Sequence, residues 1–426
     1  MVGVEVESPL DLSLLNDEQR KALAEFGTRF LDYAENNNAT YLKDEKYLIH
    51  WLKARKYKVD AAEKMLRNHL RAREFFNLDR LATEDFKTNA VMNEWYTRGS
   101  FGHDKGGRPI GYFAFGGIDP KGLLNTMRFS EAGRTVVFWQ EERRRMCMHN
   151  SKKFGKNIQQ AVYIFDLNGI GTRQMYKPGL DCFVQISRLV EQHTPEIIYK
   201  VFVINAPSFF AGIYALIKPV LDENTQRKIQ VFGSSGWEDV LLEHIDADQL
   251  PVYYGGTATE DGDPKCSRSI KYGGEIPKEL YMTSEQKDAI LPKDVQSQQF
   301  DISVARSSTW TRRFTCEHEN GMLLWYFHAQ SQMDIGFGVF QVPDGWSGLS
   351  DSEVLSDLER VKWTLPPIQY LANIIPEYGS VPVRRGEYIV QFDNSYSWLM
   401  SKPLRCWFDI LPADSQRLTE FEHFHW

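Results

Sequence analysis

"VFVINAPSFFAGIYALIKPVL", residues 201–221, places a short apolar run and a helix signal on either side of one proline. Val201-Phe202-Val203-Ile204 has the β-branched and aromatic content of a strand buried on both faces, and Asn205-Ala206-Pro207 ends it. From Ser208 the spacing changes. At 100° per residue, Phe209, Phe210, Ile213, Tyr214, Leu216 and Ile217 cover one arc of about 160° on a helix. The remainder, Ser208, Ala211, Gly212, Ala215 and Lys218, is small and nearly uncharged where a core helix would present charge to water. Pro219 then forces the chain away.

The strand-then-helix rhythm extends outward from this stretch. "IGYFAFGG" (110–117), "AVYIFDLNG" (161–169) and "KIQVFG" (228–233) read as further buried strands, with "SEAGRTVVFWQEERRRMCM" (130–148) and "GLDCFVQISRLVEQH" (179–193) as helices between them. The pattern predicts an α/β domain with a largely parallel sheet over residues 77–257. Upstream, residues 1–76 read as an all-α lobe, from the capped "NDEQRKALAEFGTRFLDYAE" (16–35) to the apolar spacing of residues 44–76. Downstream, residues 258–298 are rich in Gly, Pro, Asp and Lys and read as a linker lying over a surface. Residues 299–413 alternate without helical rhythm, as in "GMLLWYFHAQ" (321–330), "DIGFGVFQV" (334–342) and "GEYIVQFDN" (386–394), and predict an antiparallel β-sandwich followed by a tail, 414–426. The expected class is therefore multidomain: helical lobe, α/β domain, all-β sandwich.

Composition narrows the function. A net charge of −7 argues against a sequence-independent footprint on nucleic acid. The acidic N-terminus lacks a secretory pattern, no apolar run reaches the ~18 residues of a spanning helix, and five scattered cysteines fit free thiols, so a cytoplasmic protein is expected. The Asn38-Ala39-Thr40 sequon is read as chance on the same ground.

Catalytic patterns are missing. "NGIGTRQ" (168–174) has Gln174 where a dinucleotide fingerprint needs a small residue, and "FGSSGW" (232–237) lacks the nucleophile elbow. Cys147/His149 and Cys316/His318 lack the second pair of a closed zinc site. In "EERRRM" (141–146), Glu141 sits four before Arg145, and a solvated ion-paired helix face accounts for the run. Neither enzyme nor cofactor is expected; the expected ligand is a hydrophobic molecule.

The 208–221 helix suggests why. Exposing its large side chains to water would forfeit roughly 1.5–3 kcal/mol each, whereas a bilayer interface would keep them in apolar surroundings. That is a lid, shut in water and released at lipid, with shallow insertion because it lacks a charged face. Lys200, Lys218, Arg227 and Lys228 add weak attraction to anionic headgroups.

"VINAPSFFAGIYALIKPVLDENTQRKIQVFG" (203–233), with "WLKARKY" (51–57) before it and "LPVYYGG" (250–256) after it, resembles the CRAL-TRIO lipid-transfer family. "IGFGVF" (335–340) and "YIVQFDNSYSW" (388–398) resemble a GOLD domain, and together the motifs span about residues 16–412. The resemblance implies a helical lobe, a lipid pocket gated by the 208–221 helix and a GOLD sandwich. It also implies a carrier, peripheral at membranes, that moves one hydrophobic molecule: a retinoid such as retinal, tocopherol, squalene or a phospholipid. The second reading is a lipid-sensing adaptor whose GOLD domain recruits a protein partner, with Tyr396 and Trp398 near a turn.

For the pocket and gate the candidates are Tyr112, Phe113, Val162, Ile164, Phe183, Ile186, Phe202, Ile204, Phe209, Ile213 and Leu216. On the strands the face stays open, since a one-residue shift turns every side chain round. Members that exchange phosphatidylinositol hold the headgroup at positions matched by Arg55, Lys56, Glu196 and Lys228. The alternative for these four is a salt-bridge cluster locking the helical lobe onto the lipid domain.

Overall fold

A computed structural model describes residues 12–78, 88–221, 223–330, 334–358 and 360–424, apart from the side chains of Leu216, Ile217 and Val220.

The helical lobe follows its capping signals. Asn16 caps α1 (Asp17–Thr28) in a reciprocal box with Gln19. After the single turn and a half of α2 (Leu31–Asn36), Asp44 caps α3 (Glu45–Ala54) by accepting from the Lys46 amide. α4 (Val59–Phe75) completes the lobe around Phe26, Phe30, Leu48, Leu52 and Leu66. Between α3 and α4 the tight turn holds two non-glycine residues, Lys56 and Tyr57, at φ 52° and 60°, a left-handed pair that costs conformational energy and is held by its surroundings.

The short α5 (Ala90–Trp95) leads into a five-stranded sheet of order β1-β2-β3-β4-β5. β1 (Gly99–His103) runs antiparallel to β2 (Pro109–Ala114), whereas β2, β3 (Ala161–Asp166), β4 (Ile198–Ile204) and β5 (Ile229–Val231) are parallel. Parallel neighbours need crossovers, and the helices supply them. α6 (Pro120–Thr126) starts at an Asp119 cap, α7 (Phe129–Phe154) ends at Gly155 with φ 62°, and α8 (Lys177–His193) starts with Pro178 in its first turn. α9 (Phe210–Ile217) and α10 (Glu223–Arg227) join β4 to β5, and α11 (Glu238–His244) follows.

The stretch expected to be a linker is pinned to both neighbours. Cys266, Ile270 and Ile276 are fully buried against the parallel-sheet half, and Ile270 bridges Gly99. Ile290, Leu291 and Val295 pack with Trp407, Phe421 and Phe424 on the sandwich. The tail is likewise anchored, with Ser380 donating to the Phe424 carbonyl at 2.7 Å.

The sandwich has two four-stranded antiparallel sheets, β10-β9-β12-β7 and β11-β8-β13-β6. Its strands are β6 (Phe300–Val304), β7 (Thr309–Cys316), β8 (Gly321–Ala329), β9 (Asp334–Gln341), β10 (Lys362–Leu371), β11 (Glu377–Val383), β12 (Gly386–Asp393) and β13 (Lys402–Pro412). Alternation along β8, β9, β12 and β13 sends Trp325, Phe327, Phe337, Phe392 and Phe408 into the shared core. β10 and β11 carry no clean sequence signal because Pro366-Pro367 and Pro382 interrupt them. Both are edge strands, where a missing N–H is tolerated, and the β10 register slips between Leu365 and Ile368.

The sandwich sits on the helices over the parallel sheet. Phe129 at the start of α7 enters its core, Ser130 donates its amide to Glu377 at 2.9 Å, and Arg128 bonds the Tyr378 carbonyl. Gln185 of α8 donates to Asp334 at 2.6 Å and Arg188 to Gln369 at 3.1 Å.

Candidate functional site

Because side chains alternate along a strand, the parallel sheet presents Phe113, Tyr163, Phe165, Val201 and Val203 on one face. α7 and α8 cross above that face without filling the space beneath them. Between lies a cavity of about 960 Å³, lined from α7 by Val136 and Trp139, from α8 by Leu180, Phe183, Ile186 and Val190, and from α9 by Phe210, Ile213 and Tyr214. That volume matches sites that enclose a whole small molecule or lipid. The wall is mostly apolar, and where Cys182 and Tyr163 line it they are neutral: burial pushes the Cys182 thiol up to about 12 and raises the Tyr163 hydroxyl.

Of the residues singled out in the sequence, Phe113, Phe183, Ile186 and Ile213 line this cavity. Tyr112, Val162, Ile164, Phe202 and Ile204 do not. They point to the opposite face, where they are buried with Trp237, Leu241, Ile245, Leu250 and Tyr254 in a solid core. The correction is one of phase: the cavity face takes the alternate residues 163, 165, 201 and 203. Phe209 is 46% exposed at the N-terminal end of α9, and its neighbour Phe210 turns inward instead. The Leu216 side chain lies outside the described residues. Ala211, Gly212 and Ala215 are exposed, so the outer face of α9 is small and uncharged.

The four headgroup candidates separate into two pairs. Glu196 and Lys228 form an ion pair of 2.7 Å with both side chains at most 2% exposed, and Asn224 donates to the other Glu196 oxygen at 2.5 Å. Glu196 sits at φ 59°. His50 of the helical lobe bonds the Pro195 carbonyl at 3.2 Å and Gln159 at 2.7 Å, and burial lowers its pKa. Lys56 pairs with Glu223 at 3.2 Å in the open, and Arg55 donates to the carbonyl of Ala54. Glu196 and Lys228 are closed and buried; Lys56 is exposed and Arg55 half-buried.

The "EERRRM" run differs from expectation. Glu141 is 4% exposed and is gripped by Arg144 at 2.6 Å, Arg73 at 3.2 Å and Arg145 at 3.5 Å. Burial alone would raise its pKa, but the surrounding guanidinium groups outweigh that and hold the carboxyl below its ordinary value. Arg73 comes from α4, so this cluster bolts the helical lobe to α7. Gln174, the residue that spoils the dinucleotide pattern, is buried and donates to the carbonyls of Gly116 and Ile118. Among the described residues no group of three or more His, Cys, Asp or Glu could hold a metal, and no helix is long and apolar enough to cross a membrane.

The helical contribution to the cavity was not resolved by periodicity alone. α7 is apolar around much of its first half, since it faces the cavity on one side and, through Phe129, the sandwich on another. α8 is likewise a shared wall: Cys182 and Ile186 line the cavity and also pack against the sandwich core.

Comparison with known proteins agrees with this geometry. Residues 95–256, the stretch that holds the parallel sheet and its crossover helices, match the CRAL/TRIO domain. The chain is similar to Protein ctg-1 of Caenorhabditis elegans, 26% identical over 372 residues that make up 85% of this chain and 90% of that one. It is also similar to Protein real-time of Aedes aegypti, 29% identical over 280 residues, covering 65% of this chain and 42% of that relative's length. Among solved structures, Sfh5 aligns with a TM-score of 0.47 at 16% identity, over 60% of this chain and 91% of that chain.

Proposed function

We propose that the protein is a carrier that encloses one hydrophobic molecule in the cavity over its parallel sheet and exchanges it at membranes, with α9 as the gate. The cavity carries this reading: about 960 Å³ of largely apolar space behind a helix whose outer face bears no charge before Lys218. Opening in water would expose Phe210, Ile213 and Tyr214, at roughly 1.5–3 kcal/mol for each fully buried side chain, whereas at a bilayer they would exchange one apolar contact for another. Retinoids, tocopherol, squalene and phospholipids fall within the class of cargo that such a space accepts. A cytoplasmic carrier, peripheral at membranes, fits this mechanism.

In this reading Glu196 and Lys228 act as an interior lock, because each already satisfies the other in a place nearly closed to solvent. A headgroup would have to break that pair to engage them. The test is organic extraction and native mass spectrometry of the purified protein, followed by transfer between vesicles. A stoichiometric lipid-soluble ligand and measurable transfer are expected. A protein that arrives empty and takes up nothing ends the carrier reading.

One observation favours a second reading, in which the sandwich, read as GOLD-like, docks a protein partner. Trp398 and Leu399 are 81% and 86% exposed on a turn held by Asn394, whose amide donates to the carbonyls of Val304, Ala305 and Met400. Tyr396 is tied down by Lys402 at 3.0 Å. Removing residues 299–426 would strip the cover from Phe129 and α8, so point substitution is the cleaner test. If Trp398→Ala with Leu399→Ala preserves transfer in vitro but abolishes localisation in cells, the turn serves a partner.

A further inference from the structure

One end of the cavity is not apolar. Where α7 passes over the first residues of β2 and β3, Gln140 and Arg143, one helical turn apart, face into the space with Arg98 and Lys271. The Arg143 guanidinium lies 5.6 Å from the centre of the Tyr163 ring. Its Nη2 occupies room left by Gly111, where a Cβ would come within 2.8 Å of it. Its close polar contacts are the Tyr163 hydroxyl and the Met146 sulfur, the latter at 4.0 Å, and it has no carboxylate partner among the described residues.

Arg98 stacks over Trp139 at 4.2 Å and pairs with Glu142 at 2.9 Å. Burial lowers the Arg98 pKa, Glu142 opposes that, and the nearby Arg143 charge adds to the lowering. Arg268, at the rim, is already matched by Glu260 and Asp261. Arg98 is therefore matched by Glu142, whereas Arg143 and Lys271 line the same end with no ion pair to a carboxylate among the described residues. Gln140 adds a buried Oε1 with no hydrogen-bond partner.

A guanidinium without a carboxylate partner at the end of an apolar chamber is costly unless an anion takes that place. Resting on the carrier reading, we propose that Arg143, with Arg98 and Gln140, forms a subsite for an oxyanion, carboxylate or phosphate, that heads an otherwise apolar cargo. The planar fork of Arg143 offers paired donors to such a group. Gln140 Oε1 accepts from a hydroxyl beside it. The tail then runs along Phe113, Phe165 and Val203 toward α9. This subsite is separate from the Glu196–Lys228 pair, which is closed on itself.

The test uses the full chain and three probes: oleate, oleyl alcohol with the same tail and no charge, and dioleoyl phosphatidic acid. Displacement of a fluorescent lipid is measured for the wild type, Arg143→Met and Arg143→Lys, with thermal unfolding as the control for folding. The wild type should prefer oleate or phosphatidic acid over oleyl alcohol by about tenfold or more, as expected for a charge-assisted pair. Arg143→Met should erase the preference and Arg143→Lys restore part of it. Tight oleate assigns a carboxylate cargo; phosphatidic acid alone assigns a phosphate head. An equal preference in wild type and Arg143→Met overturns the subsite while leaving the carrier reading intact. If none of the three probes binds the wild type, the carrier reading falls and the subsite with it.

Discussion

The two faces of the parallel sheet are built from alternate residues of the same three strands, yet one is solid and the other hollow. On the solid face Tyr112, Ile164, Phe202 and Ile204 interlock with α11 and the chain beyond it through Trp237, Leu241 and Tyr254. On the hollow face Phe113, Phe165 and Val203 meet space, because α7 and α8 are held off by what they pack against on their other sides. The Glu141 cluster ties α7 to the helical lobe, and Phe129, Gln185 and Arg188 tie α7 and α8 to the sandwich. A cavity of this size persists when its roof is anchored from outside, since an unanchored roof would settle onto the sheet and recover contact.

The comparison breaks most visibly at Phe202. Phe202→Ala opens a hole in the packed face and should cost about 3–5 kcal/mol in denaturant unfolding, with cargo affinity altered little in the fraction that folds. On the hollow face the effect inverts. Val203→Phe, one residue on, places its extra volume in the cavity, and unfolding should shift by less than about 1.5 kcal/mol while the bound-lipid stoichiometry falls. Equal destabilisation by both substitutions would mean that the space behind Val203 is not a cavity.

The anchored roof has its own signature in pH. Burial pushes the Glu377 carboxyl up to about 7, against the opposing pull of Arg128 and the Ser130 amide; Glu131, Tyr370 and Tyr378 also face this group. A carboxyl whose pKa is raised in the folded state binds its proton more tightly there than when unfolded. Its contribution is therefore complete below the ordinary carboxylate range and is lost as pH rises through about 7. Glu377→Gln should flatten the fall in stability between about pH 5 and about pH 8 relative to wild type. An unchanged slope would place the titration elsewhere. The smallest effect on folding is expected at the exposed turn, where Trp398→Ala should move stability by no more than about 0.5 kcal/mol.

Much of this organisation was legible in local patterns. Asn16 with Gln19 starts the first helix, the runs at 161–166 and 201–204 are strands, and the 208–221 stretch yields a helix with a small outer face. The prolines in β10 and β11 hid two strands, because Pro366-Pro367 and Pro382 signal interruption unless the strand is known to lie at an edge. Glu141 looked like a surface residue because its i+4 partner is local, whereas Arg73 reaches it from 68 positions away.

By itself, then, the order of amino acids determined which segments are strands, which are helices, and that α9 would be greasy within and bland without. Those properties follow from periodicity, caps and the composition of short stretches. Which face of the sheet is hollow was decided only by the assembled chain. In a strand buried on both sides, Phe202 and Val203 are equally apolar, and nothing local distinguishes a side chain that meets a packed helix from one that meets space. The distinction arises from where α7 and α8 are held, and they are held by Arg73, Glu141, Gln185 and Asp334, residues brought together across the full length of the fold.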